Sequence, residues 1–293
     1  MSRVAVVLMA YGSPERLGDV PDYYADIRGG RPVRPELVDD LVERYRRLGI
    51  AERSPLNAIT EDTRAELERQ LGLPVYTGMK HWRPRIPEAA ERALGDGAGT
   101  IVGLVLAPHY SRLSIGDYRA RLERALAGRG DLLFVESWHD DPGFVDYWAG
   151  KLDGTDRHVV FTAHSLPARI LDEGDPYESQ LQESAAAIAE RAALRECSTC
   201  YQSESATGEP WLGPDILDHL EDLRRQGVRR VLACPHGFVA DHLEIFWDLD
   251  TEAAMRAAEL GIDFARTDMP NADPLFVHVL ASLVRARLGS LVR

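Results

Sequence analysis

The sequence predicts an α/β protein of two similar domains, each built on a four-stranded parallel sheet flanked by helices. Three observations carry that expectation. The chain has 293 residues, and at about 150 residues per domain this is room for two hydrophobic cores. Short runs rich in β-branched residues alternate along it with longer stretches of helical period, the pattern of parallel α/β sheets. Eight such runs, at 4–9, 74–78, 100–107, 132–137, 158–163, 196–203, 229–235 and 262–267, divide evenly into two sets of four.

The first run, Val4-Ala5-Val6-Val7-Leu8-Met9, is apolar throughout, as a strand covered on both faces must be. Helical stretches at 35–48 and 60–71 precede the second strand, and those at 87–94 and 115–127 separate the second, third and fourth. After the fourth strand come helices at 142–152, 176–194, 214–226 and 241–260, each leading into another strand, and a last helix at 273–288. Asp141-Pro142, Asp175-Pro176, Gly213-Pro214 and Asp273-Pro274 place proline in a first helical turn, where its missing N–H costs nothing. The halves meet near Asp140. A first domain is expected over 1–138, joined by a C-terminal helix at about 271–293, and a second over 139–270.

The 34 basic and 47 acidic residues leave a formal charge of −13, which argues against a nucleic-acid surface. Lys80 and Lys151 are the only lysines, so 32 bases are arginine, the side chain with permanently charged, planar donors suited to carboxylates. The longest apolar runs, 4–11 and 101–107, fall far short of the roughly 18 residues of a membrane span. The N-terminus lacks the basic start, apolar stretch and cleavage site of a signal peptide, so a cytoplasmic protein is expected. No heptad asks for a partner helix, and a monomer is expected.

In open parallel sheets ligands sit at the carboxyl ends of the strands. Those ends carry Tyr11, then Lys80 and His81, His109 and Tyr110, Trp138 and His139; in the second half they carry His164 and Ser165, Gln202 and Ser203, and His236. This places aromatics and imidazoles together at one rim. No G-x-G-x-x-G follows the first strand and no G-x-x-x-x-G-K-[ST] occurs, which demotes a nucleotide enzyme.

His164, at the end of a strand, offers an imidazole that can accept a proton or bind a borderline divalent metal, or simply hydrogen-bond at a helix start. Glu244, Asp248 and Glu252 stand at i, i+4 and i+8. In an α-helix such steps drift by about 40° each, making a slowly winding row that a π-bulge would straighten. The row can pass hydrated cations or protons; the spacing equally fits a capping box at Asp241 and Glu244 with a solvated face beyond it. Arg28, Arg31, Arg44, Tyr45, Ser54, Lys80 and Tyr118 are donors near the mouth of the first domain, fit for a carboxylate-bearing ligand or plain surface. Cys197 and Cys200 make one C-x-x-C, with Cys234 beyond. Three thiolates are one short of a Cys₄ iron–sulfur set, which His236 or another side chain would complete; buried cysteines or a redox-labile pair fit as well.

Taken together, Leu8-Met9-Ala10-Tyr11-Gly12-Ser13-Pro14, Gly78-Met79-Lys80-His81, Leu106-Ala107-Pro108-His109-Tyr110-Ser111, Thr162-Ala163-His164-Ser165-Leu166-Pro167, Pro210-Trp211-Leu212-Gly213-Pro214-Asp215 and Gly237-Phe238-Val239-Ala240-Asp241-His242-Leu243-Glu244 resemble the ferrochelatases, which insert ferrous iron into a porphyrin. The resemblance implies two similar Rossmann-like, chelatase-type domains with a porphyrin cleft between them. It implies His164 and Glu244 as catalytic and metal-facing residues, with Asp248 and Glu252 continuing Glu244 along a helix with a π-turn, and Tyr11 on the opposite porphyrin face. It makes Arg28, Arg44, Tyr45, Ser54, Lys80 and Tyr118 candidates for propionate contacts. Tyrosine at position 11 and a chain ending soon after its last helix resemble the bacterial type that uses coproporphyrin III, with Fe²⁺ as the second substrate. Some bacterial relatives hold a [2Fe–2S] cluster, for which Cys197, Cys200 and Cys234 are the candidates. A protoporphyrin IX enzyme, a cobalt chelatase and a non-catalytic porphyrin carrier are the competing readings.

Overall fold

The structure, a computed structural model, describes residues 3–31, 33–49, 54–205 and 208–290. The outermost positions of the expected domains, 1–2 and 291–293, lie outside the described residues. Eight strands form two parallel sheets. The first joins β1 (Arg3–Ala10), β2 (Val75–Met79), β3 (Ala98–Val105) and β4 (Asp131–Val135) in the order β2-β1-β3-β4. The second joins β5 (His158–His164), β6 (Cys197–Gln202), β7 (Arg230–Cys234) and β8 (Asp263–Arg266) in the order β6-β5-β7-β8. The two sheets therefore share one topology, with β5 in the place of β1.

Helices cover both faces, which is why β1 is buried from Ala5 to Ala10 and reads as an unbroken apolar run. In the first half these are α1 (Val20–Ile27), α2 (Pro35–Arg47), α3 (Pro55–Leu71), α4 (Ile86–Gly95) and α5 (Ile115–Leu126). In the second they are α6 (Pro142–Lys151), α7 (Arg169–Asp172), α8 (Tyr177–Arg191), α9 (Ile216–Arg225), a π-helix over Ile245–Ala253 running into α10 (Ala254–Leu260), and α11 (Pro274–Gly289). The expected helical stretches begin at 35 and so do not include α1, whose Pro21 stands in the first turn, where it is tolerated. For the same reason α3 starts at Pro55 behind Ser54, five residues earlier than expected. Pro142 and Pro274 do open helices, under Asp141 and Asp273 side chains that accept first-turn N–H groups. Pro176 and Pro214 differ: Pro176 is itself the N-cap of α8, and Asp215, after Pro214, caps α9.

One apolar cluster runs from Val6 and Leu8 through Trp138, Phe144, Trp148 and Phe276 to Phe161, Val231 and Leu249, so the inner faces of both sheets share a core. A second cluster, with Met9, Ile86, Ile101, Leu122 and Phe134, fills the outer face of the first sheet. Helix α11 packs on α3, α6 and β4, and Gln70 and Arg285 tie it there, Gln70 Nε2 donating to the Pro274 carbonyl at 3.0 Å and Arg285 Nη2 to the Gln70 carbonyl at 2.6 Å. No helix among the described residues is long and apolar enough to cross a membrane.

Candidate active site

The central strand of the second sheet ends on His164, and the π-helix brings Glu244 to it. His164 Nε2 lies 3.7 Å from Glu244 Oε1, and His242 Nε2 lies 3.5 Å from Glu244 Oε2, so one carboxylate stands between two imidazoles. His164 Nδ1 is turned to the Ser165 carbonyl, which leaves Nε2 facing the carboxylate. Tyr177 at the start of α8 donates its hydroxyl to the His164 carbonyl at 2.9 Å and holds the strand end. Burial alone would make the imidazolium of His164 unfavourable, but the adjoining Glu244 charge outweighs it and lifts His164 to about 9. Burial likewise works against the Glu244 carboxylate, and the two histidines hold it ionised well below the usual range.

Behind this pair, Asp248 is buried and accepts from Gln202 Nε2 at 3.3 Å and from the Ser203 hydroxyl. Burial, then the charge of Glu244, raises Asp248 to about 6. Glu252 is half-buried, and its charge is felt at both Asp248 and Asp215. The three carboxylates thus follow one another electrostatically along the helix. The wider turn that allows this is visible in the bonding: Ala254 N–H reaches back five residues to the Leu249 carbonyl, and Thr251 Oγ1 donates to the Phe246 carbonyl, also five back, at 2.9 Å. The capping box does not form. Asp241 instead pairs with Arg266 at 3.0 Å and Asn271 at 2.7 Å, and Glu244 is free to face the histidines.

Across from these groups the first half supplies phenols and cations. Tyr11 follows β1, its ring 4.6 Å from that of His81. Tyr11 is 41% exposed, but the protein around its hydroxyl strips that group of water, and this, then the Glu244 charge, pushes the hydroxyl above the ordinary value. Tyr45 shares a 2.9 Å hydrogen bond with Ser13 and is raised to about 12 by burial. Lys80 is buried, 3.0 Å from Asp117 and 5.1 Å above the ring of Tyr118. Arg44 closes the gap between the halves: its guanidinium lies 5.0 Å from the ring of Trp247 in the π-helix. Ser54 is buried at the start of α3, and its hydroxyl has no partner among the described residues. Arg28 and Arg31 sit exposed just past α1.

Two sequence expectations need correction. The strand-end histidines do not all meet at one rim: His109, His139 and His236 turn away to form a buried cluster between the halves, with His109 5.3 Å from His236 and 6.0 Å from His139 by ring centroids. His236 Nε2 is 3.2 Å from the Leu181 carbonyl. The cysteines also separate. Cys197, Cys200 and Cys234 pair in register with Val159, Thr162 and Phe161 of β5, and side chains alternate along a strand. Cys200 therefore points to one face of the sheet and Cys197 and Cys234 to the other, with β5 and about 10 Å between those two. All three are free thiols, and this donor set does not fit a [2Fe–2S] cluster. A C-x-x-C spacing serves a metal in a turn or helix; in a strand it splits the pair.

Sequence alone puts Gln202 and Ser203 at the rim without a partner and assigns no role to His242, Trp247 or Tyr177. His242 carries a signal in standing two residues ahead of Glu244; the others meet their partners only through packing.

The geometry has counterparts among known proteins. The sequence profile of the ferrochelatases matches residues 3–288. Ferrochelatase of Herpetosiphon aurantiacus is 42% identical over 97% of this chain and 98% of its own, and coproporphyrin III ferrochelatase of Halalkalibacterium halodurans is 41% identical over 98% of each. Among solved structures, SirB from Bacillus subtilis with Fe³⁺ superposes with a TM-score of 0.60 at 12% identity, covering 97% of this chain and 95% of that one. CbiX, the terminal enzyme of sirohaem biosynthesis in denitrifying bacteria, gives 0.54 at 15% identity over 97% and 98%. At such identities these two speak for the fold, a chelatase-type pair of parallel sheets, while the profile and the relatives cover nearly every residue that builds the cleft: this chain belongs to the ferrochelatase family.

Proposed function

We propose that this chain inserts Fe²⁺ into coproporphyrin III, with His164 and Glu244 handling the pyrrole protons and the entering metal. The observation that carries the reading is the carboxylate of Glu244 held between His164 and His242, facing a wall of phenols and cations. Insertion replaces two pyrrole protons by one dication, so the site must accept protons and pass a cation at one place. An imidazole–carboxylate–imidazole set does both: the carboxylate suits the dication, and an imidazole that has given up its own proton as the dication arrives can take a pyrrole proton in its place. A dication reaching Glu244 competes with the protons on the two histidines for the same negative charge, which couples metal entry to proton release. Asp248 and Glu252 extend the path, and Tyr11 faces the metal from the other side.

The opposite wall suits a substrate with several carboxylates. Arg28, Arg44, Tyr45, Ser54, Lys80 and Tyr118 are the candidate contacts, and of the charged ones Arg44 reaches across to the ring of Trp247 in the π-helix. Several relatives carry the name coproporphyrin III ferrochelatase, which supports that substrate over one with two propionates. The test is anaerobic addition of Fe²⁺ to the protein with coproporphyrin III, and separately with protoporphyrin IX, following metallation in the visible spectrum. Multiple turnovers with coproporphyrin III are expected, and His164→Ala should abolish them while porphyrin still binds. Binding without turnover would make the protein a carrier, faster protoporphyrin metallation would overturn the substrate, and near-normal turnover in His164→Ala would remove that residue's role.

A further inference from the structure

On the outer side of the first sheet a groove of about 420 Å³ opens between the end of β2, the start of α4 and α5. Four of its lining side chains are cationic, Lys80, Arg85, Arg121 and Arg124, set against apolar surface including Met79 and Ile86, and no carboxylate is among the lining residues. The carboxylates serving these cations are outside the lining and are shared. Asp117 takes both Lys80 Nζ and Arg121 Nε at 3.0 Å, and Asp26 takes both Arg85 Nη1 and His81 Nδ1 at 2.9 Å. Arg124 has no ion pair among the described residues. Four positive charges therefore face two carboxylates in a chain whose total charge is −13. The local excess runs against the whole molecule, and it is partly buried: Lys80 is 9% exposed, and burial draws its ammonium below the ordinary value in spite of Asp117.

We propose that this groove binds a small, multiply charged oxyanion of the phosphate or polycarboxylate class, at a site beside the porphyrin cleft that shares only Lys80 with it. Two surplus positive charges match a dianion. Guanidinium groups offer forked donors that engage phosphate or carboxylate oxygens in pairs, and Lys80 adds a point charge. The apolar wall keeps water away from one side, which strengthens each of these contacts. The volume lies within the range of small-ligand sites. Tyr11, His164 and Glu244 do not line the groove, and of its four cations only Lys80 is also a candidate propionate contact, which leaves Arg85, Arg121 and Arg124 without a part in the iron chemistry.

The full chain is titrated at low ionic strength with inorganic pyrophosphate and, separately, with citrate, with binding followed by calorimetry. Saturable one-to-one binding of at least one probe is expected, with the preferred probe identifying the phosphate or the polycarboxylate source. Arg124→Glu and Arg121→Glu should each weaken it at least tenfold, about 1.4 kcal/mol or more, and Arg124→Glu should insert iron at the normal rate in the absence of the anion. Arg124 is exposed near the end of α5, so its replacement leaves the fold intact. No saturable binding up to about 10 mM, or equal binding by the native chain and both variants, would overturn the proposal. The titration needs no porphyrin, so it fails or succeeds independently of the proposed reaction. A repeat with saturating coproporphyrin III decides separateness: a shift of less than tenfold supports it, and full competition assigns the four cations to the porphyrin's own carboxylates and overturns it.

Discussion

Set β1 beside β5. Each is flanked by the second and third strands of a parallel sheet with the same order, and each ends at the cleft, the one followed by Tyr11, the other finishing on His164. From Tyr11 outward the first half offers Tyr45, Lys80 and Arg44, groups that donate to anions. From His164 outward the second half offers His242, Glu244 and Asp248, groups that hold protons and attract cations. The backbone is repeated while the chemistry is inverted. A porphyrin with carboxylates at its edge and a dication entering its centre calls for both kinds of surface, and a two-fold repeated scaffold supplies two positions on which they can diverge.

The sharpest way to break this comparison is to neutralise one charge on each side. Glu244→Gln keeps the size of the side chain but removes the charge between two imidazoles. Turnover with coproporphyrin III should fall by roughly 10²–10⁴-fold in kcat, the usual share of a proton-handling group, with KM little changed. Lys80→Met should act in the opposite sense, raising KM about tenfold with kcat nearly unchanged, because a substrate carboxylate is held equally in the ground and transition states. Anaerobic steady-state kinetics separates the two. If Lys80→Met lowers kcat as far as Glu244→Gln does, the division of labour between the halves is wrong.

A second test asks where the halves agree. Each buries a histidine in neutral form: His81 in the first, where burial outweighs the bond to Asp26, and His236 in the second, both lowered to about 4. The unfolded chain protonates such a side chain near pH 6.5. Above that pH neither state carries the proton and there is no penalty. As pH falls from 6.5 towards 4 only the unfolded chain gains it, so stability drops, and below 4 the loss is complete. Each histidine accounts for a loss of about 3 kcal/mol by that arithmetic. Melting temperatures measured from pH 7 to 4 should fall steeply in the native chain and less steeply in His81→Gln and in His236→Gln, by similar amounts. A slope unchanged in both variants would show that other groups carry the acid sensitivity.

How much of this was legible in the sequence follows from how local each signal is. All eight strands could be read: the buried central ones write themselves as β-branched runs, while the edge strands β6 and β8, half-buried and poor in such residues, are marked by the helical stretches on either side. Helix α1 could not be read, since its eight residues are too few for a helical period to stand out. The row of Glu244, Asp248 and Glu252 was visible as spacing, but not the direction it faces: Asp241 is drawn off by Arg266 and Asn271, and Asp248 is turned inward by Gln202 and Ser203, residues about 45 positions earlier. The histidines after β3, β4 and β7 look like cleft residues by position and are core residues by packing, since the shared core between the sheets lies on their side. For the cysteines, sequence distance was the wrong measure; the face of the strand decides.

The smallest expected effect bears on the glycines beside the two strand ends. A Cβ on Gly237 would lie 2.7 Å from the backbone of Ala163, the residue before His164, and would also strike the Ala163 side chain. Gly12, the residue after Tyr11, has φ of +85°, and a Cβ there would lie 2.8 Å from Cβ of Trp82. Gly237→Ala therefore pushes on backbone that positions the imidazole, whereas Gly12→Ala strains its own turn and pushes on a neighbouring loop. Each should cost about 1–3 kcal/mol of stability. The readouts should differ: Gly237→Ala lowers kcat by shifting His164 relative to Glu244, and Gly12→Ala raises KM. Adding Ala163→Gly to Gly237→Ala removes the clash between side chains but leaves the new methyl group pressed on the main chain of β5, so kcat should recover only in part, a coupling that a double-mutant cycle measures directly. No recovery at all would mean that pressure on the main chain alone displaces β5, and full recovery that the strand end yields freely once the Ala163 methyl group is gone.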